Sequence, residues 1–549
     1  MLISRTKTDV IKNIGIYAAV CLSGCVFVLL SASWVSPLFR DSYGYDSSWY
    51  SLMGRAITQG MVPYRDYFDL KGPAFFFIEA IGQFFCYGRL GIFIIECIAA
   101  SISCIFIWKT CNMYILRWQT CVIFAVTGLV AISPFWGGNT CEEFMLPFNF
   151  ACIYLTLKYL KEENYEEYFL PALIFGISFA VMLLSKITTC APMGAAALTV
   201  LIVLVMKKKS YVIPRIIGYF LLGFLIIWIP MCVYFILHHA FRDFIYAAFV
   251  FAYKRGTDYY ETFSWDWESK LIICYMSFIA SLIIPTRKSG EHYLRIFGIL
   301  LSVITWAFLH LGTPYDYYFL LTMPCFIYMM MSMFAHWTNR GEDAVLDENT
   351  RRSYIVETSH PEGAYSEDDT ELPDFSNYLD YFLPQDIAKM KRSIRPDNRR
   401  ITMQRRVLWV ILLLIVLNHY YPNTKFKIVE NKNLAERDSD PYVEECRDVL
   451  QVVPRKEWDN IYDLESGMIF YEVNQLLPAN RYPVNLPYFM HLNPEIKSNV
   501  LKYLDVVRPQ FIMSENMANF DDNDTRDYVF SHYELYSDVG AEEIYIRIE

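Results

Sequence analysis

Apolar runs of roughly the 20 residues that cross a bilayer recur through the first 420 positions, and no other feature restricts the fold as strongly. Residues 14–33, 91–108, 118–134, 145–160, 169–185, 190–206, 212–237, 270–284, 294–310, 318–335 and 407–420 are read as about eleven transmembrane helices. The ten-residue alternation of barrel strands is absent. The expected class is therefore a polytopic α-helical membrane protein.

Charge sets the orientation. Arg5, Lys7 and Lys12 precede the first run, which places the amino terminus in the cytoplasm. Ser31-Ala32-Ser33 faintly imitates a signal-peptide cleavage site, but the run exceeds a typical h-region and many spans follow, so an uncleaved helix is expected. Residues 74–87 are apolar, aromatic and short, and are read as a helix lying in the membrane interface. If they crossed instead, Lys207–Lys209 and Arg405-Arg406 would face outward, against the positive-inside rule.

Four segments follow: a transmembrane module over 1–335, a polar insert over 336–404, a last transmembrane helix at 405–420, and an extracytoplasmic domain over 421–549. The insert is rich in Asp, Glu, Ser and Thr, and is expected to be disordered and cytoplasmic. In the tail, Asn460–Leu464, Arg508–Met513 and Glu543–Ile548 read as strands, and 466–477 and 494–506 as helices, giving a small α/β domain. The net charge of −10, with no basic stripe, argues against nucleic acid. The fourteen cysteines show no CxxC pair or zinc spacing, and only Cys141 and Cys446 are expected to face outward.

This topology gathers ionisable residues on the outer side. The first loop holds Asp41, Asp46, Arg65, Asp66, Asp69 and Lys71; later loops hold Glu142 and Glu143, then Lys186, then Tyr315, Asp316 and Tyr318. Each has a bland reading: a solvated loop acid, an acidic helix start, or a snorkelling lysine. Glu96, inside a span, is harder to explain that way, since ionisable groups in membranes usually face a cavity or partner. Together they offer a carboxylate base, cations for a phosphate and aromatic surface for a sugar or lipid.

The first outer loop reads Asp46-Ser-Ser-Trp-Tyr50, then Gly60-Met-Val-Pro63-Tyr64-Arg65-Asp66-Tyr-Phe-Asp69-Leu-Lys71-Gly72-Pro73. Arg89-Leu90-Gly91, Gly138-Asn139-Thr-Cys-Glu142-Glu143, Lys186, Tyr315-Asp316-Tyr317-Tyr318-Phe319 with Pro324, and Asn480-Arg481-Tyr482 follow in order. This set resembles the membrane-embedded GT-C glycosyltransferases, in particular bacterial relatives of the protein O-mannosyltransferases and of the lipid A aminoarabinose transferase. The resemblance covers roughly 1–335 and, more weakly, 405–549. Leu70 and Asp316 stand where relatives carry histidine.

The resemblance implies a GT-C fold and transfer of a sugar from a polyprenyl-phosphate donor to a cell-envelope acceptor, whether polysaccharide, glycolipid or protein. It implies Asp46 as the base that takes the acceptor's proton, with Asp69 and Lys71 shaping the catalytic site. Arg65, Arg89 and Lys186 become phosphate contacts, and Glu142 and Glu143 contacts to sugar or acceptor. Tyr50, Tyr64, Asp66, Tyr315, Asp316, Tyr318 and Arg481 complete the expected substrate-binding set. No obligatory cofactor is implied, although the paired acids leave room for a divalent metal. A transporter or flippase of lipid-linked sugars, or a non-catalytic polymer-assembly protein, are the alternatives; charges on one rim and a folded outer domain favour the enzyme.

Overall fold

Each of the eleven apolar stretches expected to span falls largely in helix in the computed structural model, which describes residues 7–258, 265–284, 292–311, 315–335, 397–465, 467–483, 486–540 and 542–548. The helices are α1 (Lys7–Ser31), α2 (Tyr45–Thr58), α3 (Pro73–Phe85), α4 (Arg89–Cys111), α5 (Arg117–Phe135), α6 (Cys141–Glu162), α7 (Phe169–Leu183) and α8 (Ala191–Met206). They continue with α9 (Ile213–Leu237), α10 (Phe241–Ile245), α11 (Ala252–Asp258), α12 (Trp265–Lys270), α13 (Ile272–Ile283), α14 (His292–Leu309) and α15 (323–335). Among the described residues, eight helical stretches are long and apolar enough to cross a bilayer. The shorter α7 and α13, and the more polar α6, cover the other three expected spans. The chain is a multi-pass membrane protein.

The segment read as interfacial forms α3, 13 residues and so about 20 Å long, well short of the ~30 Å hydrocarbon thickness. Its start is dictated by sequence: Gly72 is extended and Pro73 occupies the first turn, where a missing N–H costs nothing. Of the insert expected over 336–404, residues 336–396 lie outside the described residues. Residues 397–404 open α16 (Asp397–Glu436), which runs sixteen residues past the expected end of the last span at 420. The folded tail therefore begins nearer Asp440 than 421.

The tail comprises α17 (Pro441–Val452), β1 (Ile461–Asp463), α18 (Met468–Val473), α19 (Leu486–Leu492), α20 (Pro494–Val507), β2 (Phe511–Ser514), α21 (Asn523–His532), β3 (Tyr533–Val539) and β4 (Glu542–Arg547). Caps fix three of these helices. Asp440, Asn493 and Asp522 each accept a backbone N–H of the following turn, with proline after the first two. The sheet order is β1-β2-β4-β3, with β1 and β2 parallel and the remaining pairs antiparallel. The three expected strands correspond to β1, β2 and β4, while β3 was not anticipated. Cys141 and Cys446 are buried, contrary to expectation, because each packs its thiol inward from a helix. All fourteen cysteines are free.

The tail docks on the loop between α1 and α4. Ser51 and Arg55 of α2 meet Glu472 of α18, the Arg55–Glu472 ion pair being 3.1 Å long with both side chains almost fully buried. Tyr67 Oη donates to the Pro478 carbonyl at 2.8 Å, and the Phe68 N–H donates to the Arg481 carbonyl at 2.8 Å. Arg447 closes a rim contact to Asp41 at 2.8 Å.

Candidate active site

The site is assembled by two tight backbone approaches. The Gly72 N–H donates to the Ser185 carbonyl at 2.9 Å, and the Ala74 N–H to the Leu184 carbonyl at 2.8 Å. A Cβ at residue 72 would overlap the Leu184 carbonyl, so only glycine lets the strand-like stretch before α3 lie against the end of α7. This lacing brings Lys71 towards the turn that carries Lys186. The second approach uses Gly138, whose φ of +90° suits glycine. The Asn139 backbone N–H then donates to the Glu96 carboxylate of α4, and its Nδ2 donates to the Ser47 carbonyl and Oγ, each at 3.1 Å. The loop thus pins α2 at the residue after Asp46 and starts α6 with Glu142 in its first turn.

Around Tyr50 the expected groups converge. Tyr50 lies one helical turn after Asp46, so both share one face of α2. Its phenol is pushed well above the ordinary range, first by burial and then by the carboxylate of Asp46. Tyr317 Oη donates to Asp46 Oδ2 at 3.0 Å. The Lys71 ammonium sits 4.4 Å from the centre of the Tyr50 ring, and no carboxylate pairs with it among the described residues. Asp69 accepts the Lys71 N–H at 2.7 Å and the indole N–H of Trp49. That fixes the turn that presents Lys71.

Lys186 completes the cluster. Its ammonium lies 2.5 Å from Glu142 Oε1 and 3.1 Å from the centre of the Tyr318 ring. Burial works against this charge, but Glu142 and the Tyr318 phenol outweigh it and hold Lys186 above the ordinary lysine range. Asp46, Tyr50, Asp69, Lys71, Glu142, Lys186 and Tyr318 are therefore brought together. Asp316 pairs with Lys270 at 2.9 Å on the rim, and Tyr315 stacks on Tyr317 at 5.5 Å.

Other expected residues are engaged elsewhere. Arg89 donates to the carbonyls of Trp34 and Arg40 at 2.6 Å and of Phe39 at 3.0 Å, stapling the segment ahead of α2. Arg65 forms an ion pair with Asp66 at 2.7 Å, and Asp66 also accepts the Val62 N–H at 2.7 Å. Tyr64, at φ +68°, turns its hydroxyl onto the Lys71 carbonyl at 2.6 Å. Arg481 bridges the Tyr64 carbonyl and Asp243, each at 2.7 Å. Glu143 is buried and takes the Thr140 hydroxyl at 2.9 Å. These contacts shape the loop around the cluster.

Tyr317, Trp49 and Asn139 are participants that sequence reasoning did not single out. Asn139 had a signal, lying in the quoted Gly-Asn motif; Tyr317 had one only as a member of an aromatic run. Among the described residues no group of three His, Cys, Asp or Glu side chains is arranged to hold a metal ion.

Comparison with known proteins adds a frame to this geometry. A family model described as dolichyl-phosphate-mannose-protein mannosyltransferase matches residues 72–234. No curated protein matches. Two crystal structures of ArnT from Cupriavidus metallidurans share the fold. The one bound to undecaprenyl phosphate aligns with a TM-score of 0.56 at 12% identity over 97% of this chain and 98% of that one. The apo form aligns with a TM-score of 0.53 at 10% identity over 98% of each. The likeness runs through the membrane helices and the tail alike, so the chain has the ArnT fold, and the mannosyltransferase family model matches within its membrane part.

Proposed function

We propose that the protein transfers a sugar from a polyprenyl-phosphate donor to a cell-envelope acceptor, on the outer face of the membrane, with Asp46 as general base. The observation that carries this reading is the pairing around Tyr50 of a carboxylate held by one phenol, Asp46, with an ammonium that has no carboxylate partner, Lys71. A base within hydrogen-bond reach of a hydroxyl and a cation placed for a departing phosphate are the two requirements of this transfer. Lys186 adds a second positive charge, tempered by Glu142. The ArnT structure with undecaprenyl phosphate shows that this fold accommodates a lipid phosphate in that relative.

In this mechanism Asp46 Oδ takes the acceptor proton as the acceptor oxygen forms its bond to the anomeric carbon. The polyprenyl phosphate leaves with the bonding electron pair, stabilised by Lys71 and Lys186. Asp69 acts through the turn that aims Lys71. The amino terminus is placed in the cytoplasm and the tail outside, which keeps Lys207–Lys209 and Arg405-Arg406 inside.

The test is Asp46→Asn in the full chain, reading release of polyprenyl phosphate from a panel of polyprenyl-phosphate sugars and the envelope glycans of expressing cells. Loss of about 10²–10⁴-fold in transfer at unchanged expression is expected. Unchanged transfer removes Asp46 as the base. Retained movement of lipid-linked sugars across the membrane with no transfer by the wild type supports a flippase instead.

A further inference from the structure

Far from the Tyr50 cluster, the bundle holds a polar cavity of about 290 Å³. It is lined by Tyr17 of α1, Trp108, Lys109 and Asn112 at the end of α4, Arg117 at the start of α5, and Tyr154 of α6. Glu142 and Tyr154 are twelve residues apart on α6, which separates the two sites by about 18 Å along that helix. The cavity lies where α4 ends and α5 begins, at the level where a bundle meets lipid headgroups.

Three properties distinguish this cavity from a packing gap. Its lining holds two cations and no acid. The Lys109 ammonium has no carboxylate partner among the described residues; it is surrounded by the rings of Tyr17 at 5.9 Å and of Phe106 and Tyr154 at 5.6 Å. Arg117, exposed at the first position of α5, is likewise without an ion-pair partner among the described residues. Two uncompensated cations lining one cavity repel each other and favour an anion bound there.

The walls indicate which anion. Tyr17, Trp108 and Tyr154 present apolar ring bodies with polar tips, the residue chemistry found at membrane–water boundaries. Asn112 donates its amide to the Trp108 carbonyl at 2.8 Å, which holds the end of α4 in place beside the cations. A volume near 300 Å³ takes a phosphate with a short polar ester, while acyl chains would leave along the exposed, lipid-facing side of Tyr17.

We propose that this cavity binds a phosphate-bearing anion, the headgroup of an anionic phospholipid, through Lys109 and Arg117 against a wall of Tyr17, Trp108 and Tyr154. Basic pockets between membrane helices bind lipid headgroups by this chemistry, with each cation contributing a gain of about five-fold. The site is separate from the transfer site and does not depend on the proposed reaction.

The experiment uses the full chain in detergent, with dioctanoyl phosphatidylglycerol, dioctanoyl phosphatidylcholine, glycerol phosphate and inorganic phosphate as probes. Bound species are counted by native mass spectrometry, and thermal stability is followed in parallel. Phosphatidylglycerol is expected to bind and stabilise, phosphatidylcholine to bind far less, and Lys109→Gln and Arg117→Gln each to weaken phosphatidylglycerol about five-fold. Tyr154→Leu, which keeps both charges, is expected to weaken the lipid more than inorganic phosphate. Binding of inorganic phosphate equal to that of the lipid keeps the anion site and assigns it to free phosphate. Equal binding of phosphatidylglycerol and phosphatidylcholine, or full binding by a folded Lys109→Gln/Arg117→Gln double variant, overturns the proposal.

Discussion

Replacing Glu472 by methionine should loosen the tail from α2 and lower transfer, although Glu472 touches none of the groups around Tyr50. Arg55 and Glu472 are 1% and 3% exposed, so removing the carboxylate strands a guanidinium where water cannot reach it. Breaking such a pair on one side costs about 3–5 kcal/mol, which exceeds what a surface ion pair contributes and is a large part of a domain's docking energy. Arg55 also donates to the carbonyls of Tyr471 at 3.2 Å and Leu476 at 3.1 Å. Arg55→Met therefore leaves the carboxylate without its counter-ion and the Leu476 carbonyl without its donor, the Tyr471 carbonyl still taking the Leu476 N–H, whereas Arg55→Met/Glu472→Met leaves only that one carbonyl. The double variant should be less destabilised than the sum of the singles by at least ~1 kcal/mol, since the carbonyl cost is common to Arg55→Met and the double variant while each single alone strands a buried charge. Hydrogen exchange of the amides in α18 and α2 is the direct assay. A cost of 3–5 kcal/mol lowers protection there by roughly 10²- to 10⁴-fold in the singles if opening is local. Additive single and double effects would refute the idea that this pair couples tail to loop, whatever the absolute stabilities.

Three further outcomes follow from the same geometry. Lys186→Met leaves Glu142, 1% exposed, without its partner; it should cost about 3–5 kcal/mol of thermal stability and lower transfer by 10²-fold or more, read by melting and by rate. Tyr317→Phe removes the hydrogen bond at 3.0 Å to Asp46 and should slow transfer about ten-fold while lowering thermal stability by no more than the ~1.5–3 kcal/mol that a bond to a charged group contributes. In the tail, burial and then Asp463 push Glu542 up to about 8 from its usual 4.5. Between those values the folded state holds more protons than the unfolded one, so the tail loses stability as pH rises from about 4.5 to 8. Glu542→Gln keeps the acceptor for Tyr442 Oη and should flatten that slope, leaving the tail a few kcal/mol firmer at pH 9; a slope equal to wild type contradicts the assignment.

The membrane helices were legible because a bilayer imposes a length and a composition, but α3 and α13, of 13 and 12 residues, are nearly equal in length, so only the charges flanking the spans separate an interfacial reading from a crossing one. Lys71-Gly72-Pro73 was legible because each residue answers a separate demand: a cation, a close backbone approach and a helix start. Other features leave no local trace. Arg55 and Glu472 are far apart in sequence, and each stands inside an apolar stretch that reads as ordinary core. Arg89 resembled a phosphate ligand until the carbonyls of residues 33–40 were seen to use its guanidinium. Tyr315 and Tyr318 were favoured over Tyr317, but Asp316–Thr322 winds as a 3₁₀-helix, which turns each successive side chain by about 120°. Only the folded register decides which phenol meets Asp46. β3 escaped because an irregularity between Leu535 and Ser537 breaks the two-residue alternation that marks a strand.

These observations give α2 a role beyond carrying Asp46. Its successive faces, set by 3.6 residues per turn, meet different partners. Asp46 and Tyr50 face Tyr317 and Lys71; Ser47 faces Asn139 of the loop before α6; Ser51 and Arg55 face Glu472 of the tail. Tyr45, the residue before Asp46, lies in the field of the tail carboxylates, its phenol pushed up by burial and then by Asp463, Glu515, Glu542 and Glu465. The position of the Asp46 carboxylate is thus fixed from three directions, and one of them is the tail, a domain that, among the described residues, contributes no group to the cluster around Tyr50. A one-ångström displacement of a base is enough to cost a reaction two orders of magnitude. In the proposed mechanism, docking through Arg55 and Glu472 makes the tail a positioning element for Asp46, because the buried ion pair ties α2 to α18 in one register.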